Sequence, residues 1–599
     1  MAETNNTFRI HELEQKIAQL PIGSISKKTI RGKEYHYHRW YEGKKRKEKY
    51  LPEEEVSLLR QQIEHRKVLE KELAQLKRQC AKPKSQPALI NTFSTYVRLG
   101  ESLKNFSEGV RGYQKRACYE TLRQFVYGPS QDRVFILYGL RRTGKTTLIR
   151  QILADMSENE LCKAAFLQLT SKNTLAQVNQ DLRHLEQQGY RYLFLDEVTL
   201  MEDFIEGAAL FSDVFATCGM KLVLSGTDSL GFLFAQDEQL YDRCELLHTT
   251  FIPYGEFEHV LGIHGIDEYI RFGGTMSLGG KNYNETSTFA TRERTDEYVD
   301  SAIARNIQHS LRCYQYEGHF RHLQELYEKN ELTSAINRVI EDINHRFTIE
   351  VLTREFRSGD LSISARNLRR DRENPTDILD RVDTKQVTAQ LKTLLDILNQ
   401  EEQTVAIQEV HRQEIQEYLE LLDLVCQIDV ESIPHTNQKR TRTVLAQPGM
   451  RYTQAESLVS SLLLDEAFNA LSLVERNRVL ERIRDEIKGR MMEDIVLLET
   501  KLANPKKQVF VLQFAVGEFD MVVFDPQTAS CQLYEIKHST QVVPHQYRHL
   551  VDEKKCADTE HRYGIITGKF VLYRGESQQV GEICYQNVEE YLCGLNPIL

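Results

Sequence analysis

The sequence predicts a multidomain α/β protein, on three observations. An apolar strand runs into a glycine-rich loop that carries a lysine and two threonines and opens a helix. Short apolar segments then alternate with amphipathic ones, the pattern of a mostly parallel sheet. Near the C-terminus, two more strand-like segments carry two carboxylates and a lysine. A chain of 599 residues calls for several cores, not one.

Composition narrows the class. Hydrophobic residues make up 41% and charged residues 27%, ordinary for a soluble globular protein. No apolar run approaches the roughly 18 residues that span a bilayer. The start, MAETNNTFRI, lacks the charged and apolar regions of a secretory leader, so a cytoplasmic protein with no membrane partner is expected. The 11 cysteines stand singly without a CxxC pair, which fits reduced thiols, not a disulfide framework or a zinc site. The net charge of −10 argues against coating nucleic acid over the whole surface but leaves room for local basic patches.

Residues 1–88 form the first region. Ten basic residues lie between Lys27 and Lys49, opposed by Glu34, Glu42 and Glu48 and interleaved with Tyr35, Tyr37, Trp40 and Tyr41. The alternation over Glu34–Tyr41, followed by Glu42-Gly43, predicts a two-stranded hairpin. Lysines that neutralise phosphates on such a ribbon suit DNA; the competing reading is a solvated, self-associating arm. Pro52–Gln79 is charged, Leu-spaced and free of glycine, which predicts one long helix, a candidate coiled-coil arm for oligomerisation. Ala81–Pro87 reads as a linker.

Residues 89–265 hold the phosphate loop. Val134–Tyr138, Ala164–Leu169, Tyr192–Leu195 and Lys221–Leu224 are the candidate strands, and Thr146–Met156 and Phe204–Ala216 are helical. Gly139-Leu140-Arg141-Arg142-Thr143-Gly144-Lys145-Thr146-Thr147 follows the first strand. Backbone N–H groups of such a turn point at phosphate oxygens, and the following helix adds its positive end. Gly139, Arg142, Thr143, Gly144 and Thr147 would line the cradle. Lys145 would reach the β- and γ-phosphates of ATP, and the Thr146 hydroxyl would bind Mg²⁺. The strand LFLDEV ends in Asp196, placed to hold Mg²⁺ through water, and Glu197, placed to polarise the attacking water. KLVL ends at Ser225, a candidate sensor of the γ-phosphate. Arg243 is either a charge sensor or arginine finger, or one half of a surface salt bridge.

These stretches, GLRRTGKTTL, LFLDEV, VLSGTDSL and YDRCELLHTTFIPYGEFEHVL, resemble the AAA+ ATPases of the archaeal and bacterial type related to origin-recognition and STAND proteins. IRFGGTM and AQPGMRYTQAE resemble the same group. The resemblance covers roughly residues 90–460. It implies a five-stranded P-loop core, and a helical lid with a winged-helix-like region over residues 266–460. Within that mainly helical, polar stretch, Ser358–Asp377 reads as a charged loop.

Residues 461–599 predict a final α+β domain. MVVF and CQLYEIK are strand-like, with Asp525-Pro526 opening the turn between them. If Phe524 pairs with Cys531, Asp520 lies opposite Glu535, and Lys537 shares the Glu535 face. Two carboxylates can hold Mg²⁺ near a scissile phosphate, and a lysine can orient water or stabilise the developing charge. The spacing D-x14-E-I-K resembles the PD-(D/E)XK restriction-like nucleases. That resemblance implies a further carboxylate from a preceding helix, best matched by Glu493, with Glu518 in competition. Gln546 resembles a supporting polar position. Catalytic candidates are therefore Glu197, Glu493, Asp520, Glu535 and Lys537; metal-ligand candidates are Thr146, Asp196, Glu493, Asp520 and Glu535. The combination implies an ATP-dependent nuclease acting on DNA as a homo-oligomer or with a partner protein. The alternative is an ATP-driven switch, scaffold or remodeller whose nuclease-like domain only binds.

Overall fold

The computed structural model describes the chain apart from residues 1–12, 14–15, 18, 31–32, 43–44, 81–92, 130–131, 229–230, 233–234, 236–239, 250, 277–286, 314–319, 358–406, 435–439, 462, 464–468, 471 and 596–599. The linker read at Ala81–Pro87 and the loop read at Ser358–Asp377 lie outside the described residues. Two compact units divide between Thr92 and Phe93.

The first unit is a three-stranded antiparallel sheet, β1 (Ser24–Ile30), β2 (Lys33–Glu42) and β3 (Lys45–Leu51), in that order. The expected hairpin is thus β2–β3, with β1 added on the other side of β2. SISKKTI has isoleucine only at its second and last positions, so its alternation is too weak to announce a strand. In the register, Ile25 and Lys49 flank His38, Lys47 flanks Trp40 and Lys27 flanks His36. Paired residues and those two apart share a face, so Lys27, His38, Trp40, Lys47 and Lys49 lie on one side. The His38 and Trp40 rings stack with centroids 4.9 Å apart. A helix, Glu53–Cys80, continues from β3 and buries Val56, Ile63 and Leu69.

The second unit contains two sheets. In the first, β4 (Tyr96–Arg98) is an antiparallel edge, followed in order by β6 (Ala164–Gln168), β7 (Tyr192–Asp196), β8 (Lys221–Gly226), β5 (Val134–Tyr138) and β9 (Cys244–His248). The last five are mutually parallel. All of β5 and β8 is buried, as a continuous apolar strand covered on both faces requires.

The second sheet has the order β11 (Arg440–Leu445), β10 (Val425–Ile433), β12 (Gln508–Phe514), β13 (Glu518–Asp525), β14 (Ser530–Lys537), β15 (Ile565–Tyr573), β17 (Ile583–Asn587) and β16 (Gln578–Val580). β12, β13 and β14 form a meander, and β15 returns parallel to β14 after the helix Glu553–Tyr563. One face packs on the long helix Leu473–Ala503 and on the helices Tyr254–Leu261 and Ile266–Phe272; the other buries Leu550, Cys556 and Tyr563. The sheet crosses the boundary read at residue 460. β10 runs parallel to β12, so the two strands within residues 425–445 are hydrogen-bonded into the C-terminal sheet. A pairing between strands so far apart in the chain leaves no local signal, and the apolar residues of VCQIDVESI do not alternate regularly enough to declare a strand.

Candidate functional site

The phosphate loop leaves the C-terminal end of β5. Gly139 (φ 139°) and Gly144 (φ 90°) adopt left-handed backbone that side-chain-bearing residues avoid, and Arg142 is held there as well at 65°. The helix Lys145–Asp155 follows, with Gly144 as its cap. Lys145 is buried and its Nζ donates to the carbonyls of Gly139 and Leu140, each at 2.8 Å. Burial depresses its pKa to about 8, against the opposing pull of Glu197 and Asp196. Thr143 is fully buried, donating to Leu140 O at 2.8 Å and lying 3.1 Å from the Thr249 hydroxyl. Thr147 is half-buried on the first turn.

β8 lies between β5 and β7, and this order assembles the acidic end. Thr146 Oγ1 donates to Asp196 Oδ2 at 2.9 Å, and the Ser225 hydroxyl donates to the other Asp196 oxygen. Thr227 Oγ1 donates to Glu197 Oε2 at 3.3 Å. Glu197 has a left-handed backbone (φ 61°), and burial raises its pKa despite the nearby Lys145. Thr146, Asp196, Glu197, Ser225 and Lys145 therefore converge, and a hydroxyl touching a buried carboxylate is a donor set that fits Mg²⁺.

Two loop-site candidates stand apart from this cluster. Arg142 Nη1 donates to Thr288 Oγ1 at 3.1 Å, turned toward the following helical region. Of the two roles open to Arg243, the structure gives the surface salt bridge and not a place at the loop. Arg243 immediately precedes β9, whose first residue pairs with the first residue of β5, at the opposite end of the strand from the loop. It forms an ion pair with Asp213, both half-exposed, so it is not part of its own chain's loop site. Arg116 joins the loop with no motif to announce it. Nearly buried, it donates to Thr143 O at 2.8 Å and to Glu256 Oε2 at 2.7 Å. It lies upstream of β5 without a motif, so only the fold reveals it.

A second site forms on β13 and β14. Phe524 pairs with Cys531 and Met521 with Tyr534, and the next step of that register sets Asp520 opposite Glu535. Lys537 Nζ lies 2.6 Å from Asp520 Oδ2 and 2.7 Å from Glu535 Oε2, bridging two buried carboxylates. Ile536 N also donates to Asp520 Oδ2 at 2.8 Å. Burial pushes Asp520 up, but Lys537 and that backbone N–H outweigh it and hold the group below its ordinary value. Burial, then the neighbouring Asp520, drives Glu535 well above the carboxylate range. Burial would lower Lys537, but the two carboxylates hold it above its usual value.

Glu493 lies on the helix Leu473–Ala503. Its Oε2 accepts from Arg442 Nη1 at 3.1 Å and Arg490 Nη1 at 2.6 Å. Glu518 accepts from Gln513 at 3.2 Å, and Gln546 accepts from Val543 N and Tyr585 OH, both at 3.1 Å. Among the described residues no group of three or more His, Cys, Asp or Glu is placed to hold a metal ion. Glu493 therefore does not complete a three-carboxylate set with Asp520 and Glu535: two arginines neutralise it instead. Glu535 Oε1 is buried and receives no donor, an acceptor that a cation would satisfy.

Among the described residues no helix is long and apolar enough to cross a membrane. Residues 7–61 match the family model of a domain of unknown function, DUF6788. No curated protein matches the chain. Among solved structures, the Orc1 protein of Aeropyrum pernix in complex with DNA aligns at 14% identity and a TM-score of 0.22, over 61% of this chain and 99% of that one. The Hsp104–ADP complex of S. cerevisiae aligns at 12% identity and a TM-score of 0.22, over 66% of this chain and 50% of that one. Scores this low carry no argument. Residues 131–258 match the family model of the AAA domain, and with the loop, the acidic strand end and the parallel sheet they form an AAA+ ATPase-like P-loop core within a multidomain α/β chain.

Proposed function

We propose that this chain is an ATP-dependent nuclease acting on DNA, in which the P-loop core controls cleavage at Asp520, Glu535 and Lys537. The observation that carries the reading is the lysine bridging two buried carboxylates on adjacent strands, at 2.6 and 2.7 Å, in the same compact unit as the phosphate loop. Lys145 would exchange its two carbonyls for phosphate oxygens, and Glu197 would take a proton from the attacking water. Thr146 and Asp196 would hold one Mg²⁺, and Asp520 and Glu535 another. Bound Mg²⁺ would neutralise phosphate charge and polarise water at each place. Lys537, released from its carboxylates, would face the scissile phosphate. The lysine-rich face of the first unit would supply backbone contacts to DNA. The combination fits defence against foreign DNA or mobile-element biology, in a cytoplasmic oligomer. The deciding experiment is Mg²⁺-dependent cleavage of plasmid and linear DNA, with and without ATP, by the wild type, Asp520→Ala and Lys537→Ala. Equal cleavage by all three sinks the reading.

One observation favours a second reading, an ATP-driven switch, scaffold or remodeller. Glu493 is bound by Arg442 and Arg490 and adds no third ligand to the acidic pair. That reading expects DNA-stimulated ATP turnover lost in Lys145→Ala, with no cleavage at all.

A further inference from the structure

The strand bearing Lys537 does not end in solvent. The next residue, His538, has its Nε2 2.8 Å from Asp267 Oδ1, and its side chain is only 9% exposed. In the neighbouring strand Tyr573 pairs with Lys537, and the residue after it, Arg574, places Nη2 3.0 Å from Asp267 Oδ2. Arg574 Nη1 also lies 3.3 Å from His538 Nε2, and its backbone N–H donates to Ser539 O at 2.9 Å. β14 and β15 thus both finish on one carboxylate, immediately beyond Lys537.

Asp267 sits in the first turn of the helix Ile266–Phe272, about 10 Å long at 1.5 Å per residue. The far end of that helix runs into Gly273-Gly274-Thr275-Met276. Met276 N donates to the carbonyl of Arg142, within the phosphate loop, at 2.8 Å. Thr275 Oγ1 donates to Thr288 Oγ1 at 2.9 Å, and Thr288 also accepts from Arg142 Nη1. Gly449 N donates to Gly273 O at 3.0 Å, and a Cβ on Gly274 would stand 2.7 Å from Gln447, so this connection is held closely on its flank. Ten consecutive residues, Asp267 to Met276, therefore join the loop backbone to the end of the strand that carries Lys537.

We propose that Asp267 is a positioning residue: through His538 and Arg574 it sets the end of β14, and so Lys537, according to the state of the phosphate loop. This deepens the reading of a nucleotide-controlled acidic site and rests on it. A nucleotide that moves Arg142 shifts Met276, the short helix transmits the shift as a rigid element, and the paired strand ends follow Asp267. Asp267 touches neither site, so nucleotide turnover continues without it while the link is cut.

The test compares the full-length wild type with Asp267→Ala and Asp267→Asn, the latter keeping an acceptor oxygen for His538. ATP turnover is expected to stay within about twofold in both. The ratio of Mg²⁺-dependent DNA cleavage with ATP to that without falls to within about twofold of one in Asp267→Ala, and Asp267→Asn recovers part of the wild-type ratio. Amide exchange over residues 535–539 and 571–575, followed with and without ATP, provides a readout that needs no cleavage. ATP changes exchange there severalfold in the wild type and not in Asp267→Ala. An ATP response equal in the wild type and Asp267→Ala overturns the proposal. If the wild type cleaves nothing, the nuclease reading falls, and the exchange measurement still decides the coupling.

Discussion

The Thr146 hydroxyl donates to Asp196 Oδ2 at 2.9 Å, so the first residue after the loop lysine and the end of the acidic strand already touch. The same end of the sheet holds Lys145 with its ammonium folded onto two loop carbonyls.

That posture has a cost in stability. The folded pKa of Lys145, about 8, lies below its ordinary 10.5, so the charged form is disfavoured in the fold. The penalty is complete below about pH 8 and relieved as pH rises toward 10.5. Lys145→Met without nucleotide is therefore expected to be more stable than the wild type at pH 7, by at most a few kcal/mol. Saturating ATP should raise the melting temperature of the wild type and leave the variant unmoved. Thermal scans with and without ATP check both; a variant that ATP still stabilises would contradict the site.

A buried carboxyl on the long helix gives a second pH test. Burial raises Glu499 to about 8, while it accepts from Tyr254 N at 2.7 Å. A raised carboxyl contributes stability that is full below the unfolded value near 4.5 and lost as pH rises through 8. Unfolding free energies from urea titrations between pH 5 and 8 should fall more steeply for the wild type than for Glu499→Gln, with a difference of a few kcal/mol. Parallel profiles would show that this carboxyl does not titrate as described.

Removing the bridging ammonium leaves Asp520 and Glu535 facing each other underground. Lys537→Ala should lose cleavage by roughly a hundredfold or more, and lose about 3–5 kcal/mol of stability because a buried charge loses its partner. Asp520→Asn should lose cleavage with a smaller stability change. Denaturation curves alongside the cleavage assay separate the two effects; retained cleavage in both folded variants would remove this site from catalysis.

Arg243→Ala should leave ATP binding by its own chain unchanged. Its ion pair with Asp213 is half-exposed and contributes about 0–1 kcal/mol. A tenfold weaker ATP affinity in a monomeric preparation would return Arg243 to the loop site.

The lysine face of β1–β3 can be probed by salt. Replacing Lys27, Lys47 and Lys49 with Ala should lower DNA affinity and flatten the slope of log affinity against log salt by about three. Titrations at several salt concentrations measure it, and an unchanged slope would exclude those lysines as phosphate contacts.

Local chemistry was legible in the sequence; long-range pairing was not. The loop from Gly139 to Thr147 is contiguous, and its strand and helix follow from apolar runs on either side. The Phe524–Cys531 register could be read because one short turn fixes it. The choice between the two roles open to Arg243 depends on β9 lining up parallel to β5, which nothing in its own segment declares; the structure gives the surface ion pair. Glu493 has suitable spacing, but one of its two arginine partners, Arg442, comes from β11, outside the region read as its domain. Arg116 and Asp267 were silent for the same reason: each acts through a residue far away in the chain.

The insertion of β10 beside β12 bears on how the chain can be divided. A fragment beginning at residue 461 would leave the β12 edge bare, with a row of unpaired backbone groups open to other chains. Such a fragment should aggregate, whereas one beginning at Phe93 retains the whole second unit. During synthesis β10 must wait for β12, made some eighty residues later, before it can pair. The acidic site is thus completed only after the ATPase-like core has emerged, and the two are bound to share one folding fate.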